Sequence, residues 1–182
     1  MKKTSFLLLI LLSICSCGQP NNDKVAQTTA TTSTYKIDTA LLNKAELALN
    51  TKNYDSALSI YNQLLTQNPK DVEIIYKIGL VYAYQNNLPM AIKQFDRAIL
   101  LDPKHAKSYG NRGFALYLVE SRTEAEADLR KAVELDPTNA KFEHNLGAFL
   151  SDTNNPEACQ HLKKARELGY NDPKKFWEQK CK

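Results

Sequence analysis

Apolar and small residues recur along this chain at a fixed step of 34. Gly79, Gly113 and Gly147 hold one column, with Ala45 one step earlier. Ala57, Ala91 and Ala125 hold a second; Tyr61, Phe95 and Leu129 hold a third; Pro69, Pro103 and Pro137 close each period. Independent columns kept in phase are the mark of an internally repeated chain. Each unit has a buried face only against its neighbours, so several must stack to be stable.

The columns resemble the tetratricopeptide repeat, which implies an all-α fold, an α-solenoid of about four helix–turn–helix units plus a capping helix. The unit boundaries are set by the columns. They are 38–71, 72–105, 106–139 and a modified fourth unit at 140–170, with a capping segment at 171–182. The second unit carries Ile75, Ile78, Gly79 and Tyr82 on its first helix and Ala91, Phe95 and Ala98 on its second. The third carries Tyr109, Gly113 and Leu116, then Ala125, Leu129 and Ala132. The first carries Leu41, Ala45 and Ala48, then Ala57, Tyr61 and Leu64. The fourth has Leu146, Gly147 and Leu150, then loses one residue in its turn, so Ala158, Leu162 and Ala165 take the second-helix positions. A small residue on the first helix admits the second, whose large residue covers the gap. Filling that gap would overpack it by about 1–3 kcal/mol.

These motifs resemble the tetratricopeptide repeat over residues 38–168. Arg112 departs from it, standing where leucine is usual. Punctuation agrees with the helices. Asn87-Leu88-Pro89 and Asn155-Pro156 predict an N-cap followed by a first-turn proline. Ser121-Arg122-Thr123-Glu124 predicts a capping box. Gly169 is expected to end the last repeat helix. Asp172-Pro173 then starts a short helix, on which Phe176, Trp177 and Cys181 can share one side.

The resemblance also implies a concave groove lined by first helices. Carried over position by position, it assigns Asn43 from unit one, and Tyr76, Lys77, Leu80 and Tyr84 from unit two. Unit three gives Lys107, Asn111, Phe114 and Tyr117, and unit four Lys141, His144, Asn145 and Ser151. The asparagines offer both donor and acceptor to an extended backbone, and the aromatics offer rigid apolar area. A carboxylate clamp of the family would need lysine and asparagine at the fifth and ninth positions of a unit. Unit one has Leu42 and Glu46 there, which disfavours that mode.

The N-terminus has different patterning. Lys2 and Lys3 precede an apolar stretch from Phe6 to Ile14, interrupted only by Ser13. A spanning helix needs about 20 apolar residues, so residues 1–16 are expected to be a secretory signal peptide. Ile14-Cys15-Ser16-Cys17 resembles the lipobox of bacterial lipoproteins, with Cys17 as the acylated residue. Several acyl chains on one residue would anchor a chain stably to a membrane. Residues 17–37 would then be the lipidated cysteine and a tether, rich in Asn, Gln and Thr. No acidic run follows Cys17, which favours the periplasmic side of the outer membrane over the surface.

Composition narrows the function. The formal charge is +4, and Lys2 and Lys3 lie in the segment expected to be removed, so no nucleic-acid partner is implied. Six glycines leave no Gly-rich phosphate loop. His105, His144 and His161 sit in no metalloprotease spacing and no nucleophile-elbow motif occurs. Glu143 and His144 are adjacent, which puts their side chains on different helix faces, and the acidic set Glu124, Glu126 and Asp128 reads as a solvated helix face. No cofactor, metal or enzymatic activity is expected. Once Cys15 leaves and Cys17 is acylated, Cys159 and Cys181 remain in an oxidising compartment. A disulfide between them would close a 23-residue loop (159–181), worth roughly 3 kcal/mol in the chain-entropy picture. Two buried thiols or a metal pair are the alternatives, although Cys159 and His161 alone do not make four ligands. The expected role is an envelope-anchored scaffold that takes a peptide or helix of another envelope protein into its groove. A pilotin-like assembly lipoprotein and a cell-wall carbohydrate binder are the other readings.

Overall fold

The computed structural model describes residues 37–171 and Cys181. The signal peptide, Cys17, nearly all of the tether, and the capping helix with Phe176 and Trp177 lie outside the described residues. Eight helices form the described part, with no strand: α1 (Thr39–Asn50), α2 (Tyr54–Gln67), α3 (Val72–Tyr84), α4 (Leu88–Leu101), α5 (Ala106–Leu118), α6 (Arg122–Leu135), α7 (Ala140–Asp152) and α8 (Ala158–Glu167). Each odd-numbered helix pairs with the even-numbered one after it, and each pair stacks on the next.

The small-residue columns decide the pairing. A Cβ on Gly79 would lie 2.6 Å from the Phe95 ring, and one on Gly147 would lie 2.8 Å from Leu162 Cγ. In unit one, Ala45 and Tyr61 are both fully buried in one core cluster. Between units, a Cβ on Gly110 would lie 2.6 Å from the Phe142 ring, a seam the repeat columns did not mark.

The turns repeat as strictly as the core. Lys52, Asn86, Glu120 and Asn154, each 34 from the next, take positive φ near 60° and reverse the chain between the two helices of a unit. The residue after each is asparagine or serine. Asn53 and Asn87 cap α2 and α4, accepting from the N–H of Ser56 and Met90 at 3.2 and 3.3 Å. Ser121 makes no such bond, so the predicted capping box does not form. The amides reach their targets only at long range, and the shorter serine side chain falls short.

Asn155 also departs from expectation. Its Oδ1 accepts from Glu157 N–H at 2.9 Å, but α8 begins only at Ala158, with no side-chain cap. The residue missing from unit four falls in what would be the first turn of this helix. Pro156 therefore lies ahead of α8, which runs 10 residues where α6 runs 14.

Asp128 corrects the solvated-face expectation, and a second buried acid, Glu143, stands on α7. Asp128 is buried, and both its carboxylate oxygens accept from Arg112, at 2.6 and 2.7 Å. Arg112 also donates to Asp96 at 2.7 Å, so the departure on α5 is matched by acids on α4 and α6. Glu143 is fully buried; His161 Nδ1 lies 2.7 Å from Oε2 and Lys164 Nζ lies 2.5 Å from Oε1. Only Glu124 of the acidic set is exposed; Glu126 is half-buried and accepts from Arg130.

The C-terminal end of α8 is closed by a paired turn. Gly169, at φ +89°, donates to Arg166 O and Tyr170 donates to Ala165 O, both at 2.9 Å. That is the Schellman arrangement, for which glycine is suited because it lacks the Cβ penalty. A disulfide joins Cys159 on α8 to Cys181, with the Cα atoms 5.4 Å apart.

Candidate functional site

First helices α3, α5 and α7 line up along one side of the array. Between them opens a cleft of about 640 Å³, walled by Leu80, Tyr84, Phe114, Leu118, Phe149 and Tyr170 among others. Three of these apolar side chains face solvent: Tyr84 is 60% exposed, Leu118 50% and Phe114 45%. Large apolar residues that a fold leaves uncovered in a concavity with a few polar groups are what ligand sites are made of.

The polar groups come from successive units. Asn111 and Asn145, at the same position of units three and four, both line the cleft, with Lys141 and His144 beside Asn145. Asn111 Nδ2 donates to Lys107 O at 2.8 Å and to the Tyr76 hydroxyl at 3.1 Å. Tyr117 donates its hydroxyl to Asp152, and that bond, with some burial, raises the Tyr117 phenol above its ordinary range. Among the described residues Lys141 makes no ion pair, so it leaves a positive charge at the C-terminal end of the cleft.

Eight of the sequence-assigned groove residues meet here: Leu80, Tyr84, Asn111, Phe114, Tyr117, Lys141, His144 and Asn145. Five do not. Ser151 is buried on α7, outside the cleft lining. Asn43 is exposed on α1, away from the cleft. Tyr76 is buried, with its ring 5.9 Å from that of Phe95 and 5.2 Å from that of His105. Burial raises its phenol above the ordinary range. Tyr76 therefore acts from beneath, by orienting Asn111. Lys77 pairs with Glu46 at 2.9 Å in a separate hollow of about 560 Å³ beside Leu42 and Ile74. Lys107 lies 3.4 Å from Glu73, which also meets His105 Nε2 at 3.4 Å. The His105 contact chiefly, aided by Lys107 and opposed by burial, brings the Glu73 carboxyl down to about 2. These pairs join units one, two and three and neutralise that end of the face.

Position counting also missed residues. Leu118 occupies the thirteenth position of its unit, the same as Tyr84, and was readable from that match. Tyr170 was not: it belongs to no first helix and reaches the cleft through the turn after α8. No group of three or more His, Cys, Asp or Glu side chains that could hold a metal occurs among the described residues.

Comparison with known proteins agrees with this geometry. Models of the tetratricopeptide repeat match residues 39–71 and 76–140, between them more than half the chain. Human tetratricopeptide repeat protein 13 is 26% identical over 125 residues, covering 66% of this chain and 14% of that protein. Hsp70-Hsp90 organizing protein 2 of Arabidopsis thaliana is 23% identical over 124 residues, covering 66% of this chain and 22% of that one. The chain thus spans less than a quarter of the length of either relative. Among solved structures, a MamA protein superposes with a TM-score of 0.62 at 21% identity, covering 71% of this chain and 72% of that one. The first such repeat domain of Spaghetti (RPAP3), bound to an HSP90 peptide, superposes at 0.60 with 21% identity, covering 64% and 92%. At that identity these structures support the fold.

Proposed function

The chain belongs to the tetratricopeptide repeat family, and from that premise we propose that it is a non-enzymatic scaffold whose α3–α5–α7 cleft holds a segment of a partner protein. The observation that carries this reading is the exposed trio Tyr84, Phe114 and Leu118 beside two asparagine amides in register. Apolar anchors would enter the cleft, and Asn111 and Asn145 would bind the main chain between them. Relatives point the same way: one neighbouring repeat domain is described as bound to an HSP90 peptide. The reading extends to place. Acylation at Cys17, with residues 18–37 as a tether, would present the cleft from a bacterial envelope membrane to another envelope protein.

Affinity capture with the full chain tests the cleft. Phe114→Asp with Leu118→Asp puts two charges among the apolar walls and is expected to lower partner recovery at least tenfold. Leu100→Asp, on α4 at a side chain 82% exposed and outside the cleft, is expected to leave recovery unchanged. Equal recovery with all three proteins would remove the cleft from the mechanism. Release of the protein from membranes on Cys17→Ser would support the anchor, and unchanged fractionation would dismiss it.

A further inference from the structure

Tyr170 stands in the cleft although it follows the last helix. Its ring stacks on His144 of α7, with centroids 4.2 Å apart and planes 23° apart. Its backbone is turned there by Gly169 and held by the bond to Ala165 O. Cys181 is bonded to Cys159 near the start of α8, whereas Tyr170 lies past its end. Tyr170 thus lies within the stretch of chain, 159–181, that the disulfide closes.

From this juxtaposition we infer that Tyr170 is a partner-contacting wall of the cleft, and that the Cys159–Cys181 disulfide is its positioning bond. The inference rests on the cleft being the binding site and adds a residue and a control to it. The bond spans the helix that leads into Tyr170. α8 is the shortest of the described helices and has no side-chain N-cap. Both cysteines are only partly buried, so a small dithiol reaches the bond. One thiolate of the dithiol attacks a protein sulfur, and its second thiol closes the reductant's own disulfide. Two electrons pass to the protein, and both cysteines leave as thiols. Tyr170 then loses the tether on its C-terminal side, and the stack on His144 opens.

The ring protons of His144 report this without any partner, because a stacked phenol shifts their resonances. They are to be recorded by NMR at one fixed pH in the full chain, oxidised and after dithiothreitol. The same spectra are taken of Cys159→Ser/Cys181→Ser and of Tyr170→Ala. Reduction and the double serine variant are expected to move the His144 resonances at least halfway to their Tyr170→Ala positions. Resonances that stay at the oxidised positions overturn the inference. Loss of helical circular dichroism on reduction also overturns it, since the bond would then serve the whole fold. A failure of Phe114→Asp/Leu118→Asp to affect capture would reject the binding site while leaving these shifts unaffected, so the two failures are separable.

Discussion

Arg112→Leu restores the residue usual at that position of the repeat and is nevertheless expected to destabilise the protein by about 3 kcal/mol. The cause is Asp128. Its side chain is 8% exposed and has both oxygens on the guanidinium, whereas Asp96, the other acid, is 53% exposed and rehydrates when the cation goes. Removing one member of a buried pair leaves the other charge uncompensated, which costs more than the pair itself is worth. Changing both, as Arg112→Leu/Asp128→Leu, removes the stranded charge and is expected to bring stability back to within about 1 kcal/mol of the parent. Urea unfolding of the parent, both single variants and the double variant closes the cycle. A single Arg112→Leu protein as stable as the parent would show that Asp128 finds water or another donor.

A larger loss is expected from His161→Ala/Lys164→Ala, at about 3–5 kcal/mol. Lys164 supplies positive charge to Glu143 and His161 Nδ1 lies 2.7 Å from its Oε2, while the Glu143 side chain is wholly inaccessible on α7. The asymmetry is the informative part. Glu143→Leu should cost less, because His161 at 18% and Lys164 at 43% exposure turn back to water when their acid is removed. The damage should concentrate in unit four, where α8 meets α7 at Leu162 against Gly147. Hydrogen exchange of α8 amides should speed up in the double variant while α3 and α4 stay protected. Uniform loss of protection would mean that the fourth unit unfolds only together with the rest.

The repeat itself was legible because its signal is additive. Gly79, Gly113 and Gly147 each had to admit a neighbour, and the same step, one residue short in unit four, carried the residue that covers each. Fine structure at unit ends was less so. Ser121 matched a capping pattern, but the distance its side chain had to span is set by a turn whose φ values no composition reveals. Charged positions fared worst. Asp128 looked like a solvated acid and the burial of Glu143 went unread, because each is compensated from another helix: Arg112 lies 16 residues before Asp128, and His161 lies 18 residues after Glu143. Arg112 was a usable clue, since a cation in an apolar column implies an acid across from it. Glu143 offered none.

The cleft was legible by position and misjudged by orientation. Tyr84, Phe114 and Asn145 stood where the repeat places groove residues. Tyr76 stood there too, yet its ring packs beneath the third unit and only its hydroxyl reaches Asn111. Lys77 and Lys107 were counted as groove cations, but each meets a carboxylate from the preceding unit. Such cross-unit pairs depend on how closely the units stack, which the spacing of one unit does not encode.

The central claim is that a partner lies in the α3–α5–α7 cleft. Site-specific photocrosslinking in living cells tests it most directly, with the photoreactive residue at Phe114 or Leu118 and, for comparison, at Leu47 or Leu100 outside the cleft. The account predicts one crosslinked protein species from both cleft positions and none from the other two. The same species from Leu47 and Leu100, with nothing at Phe114 and Leu118, would contradict it.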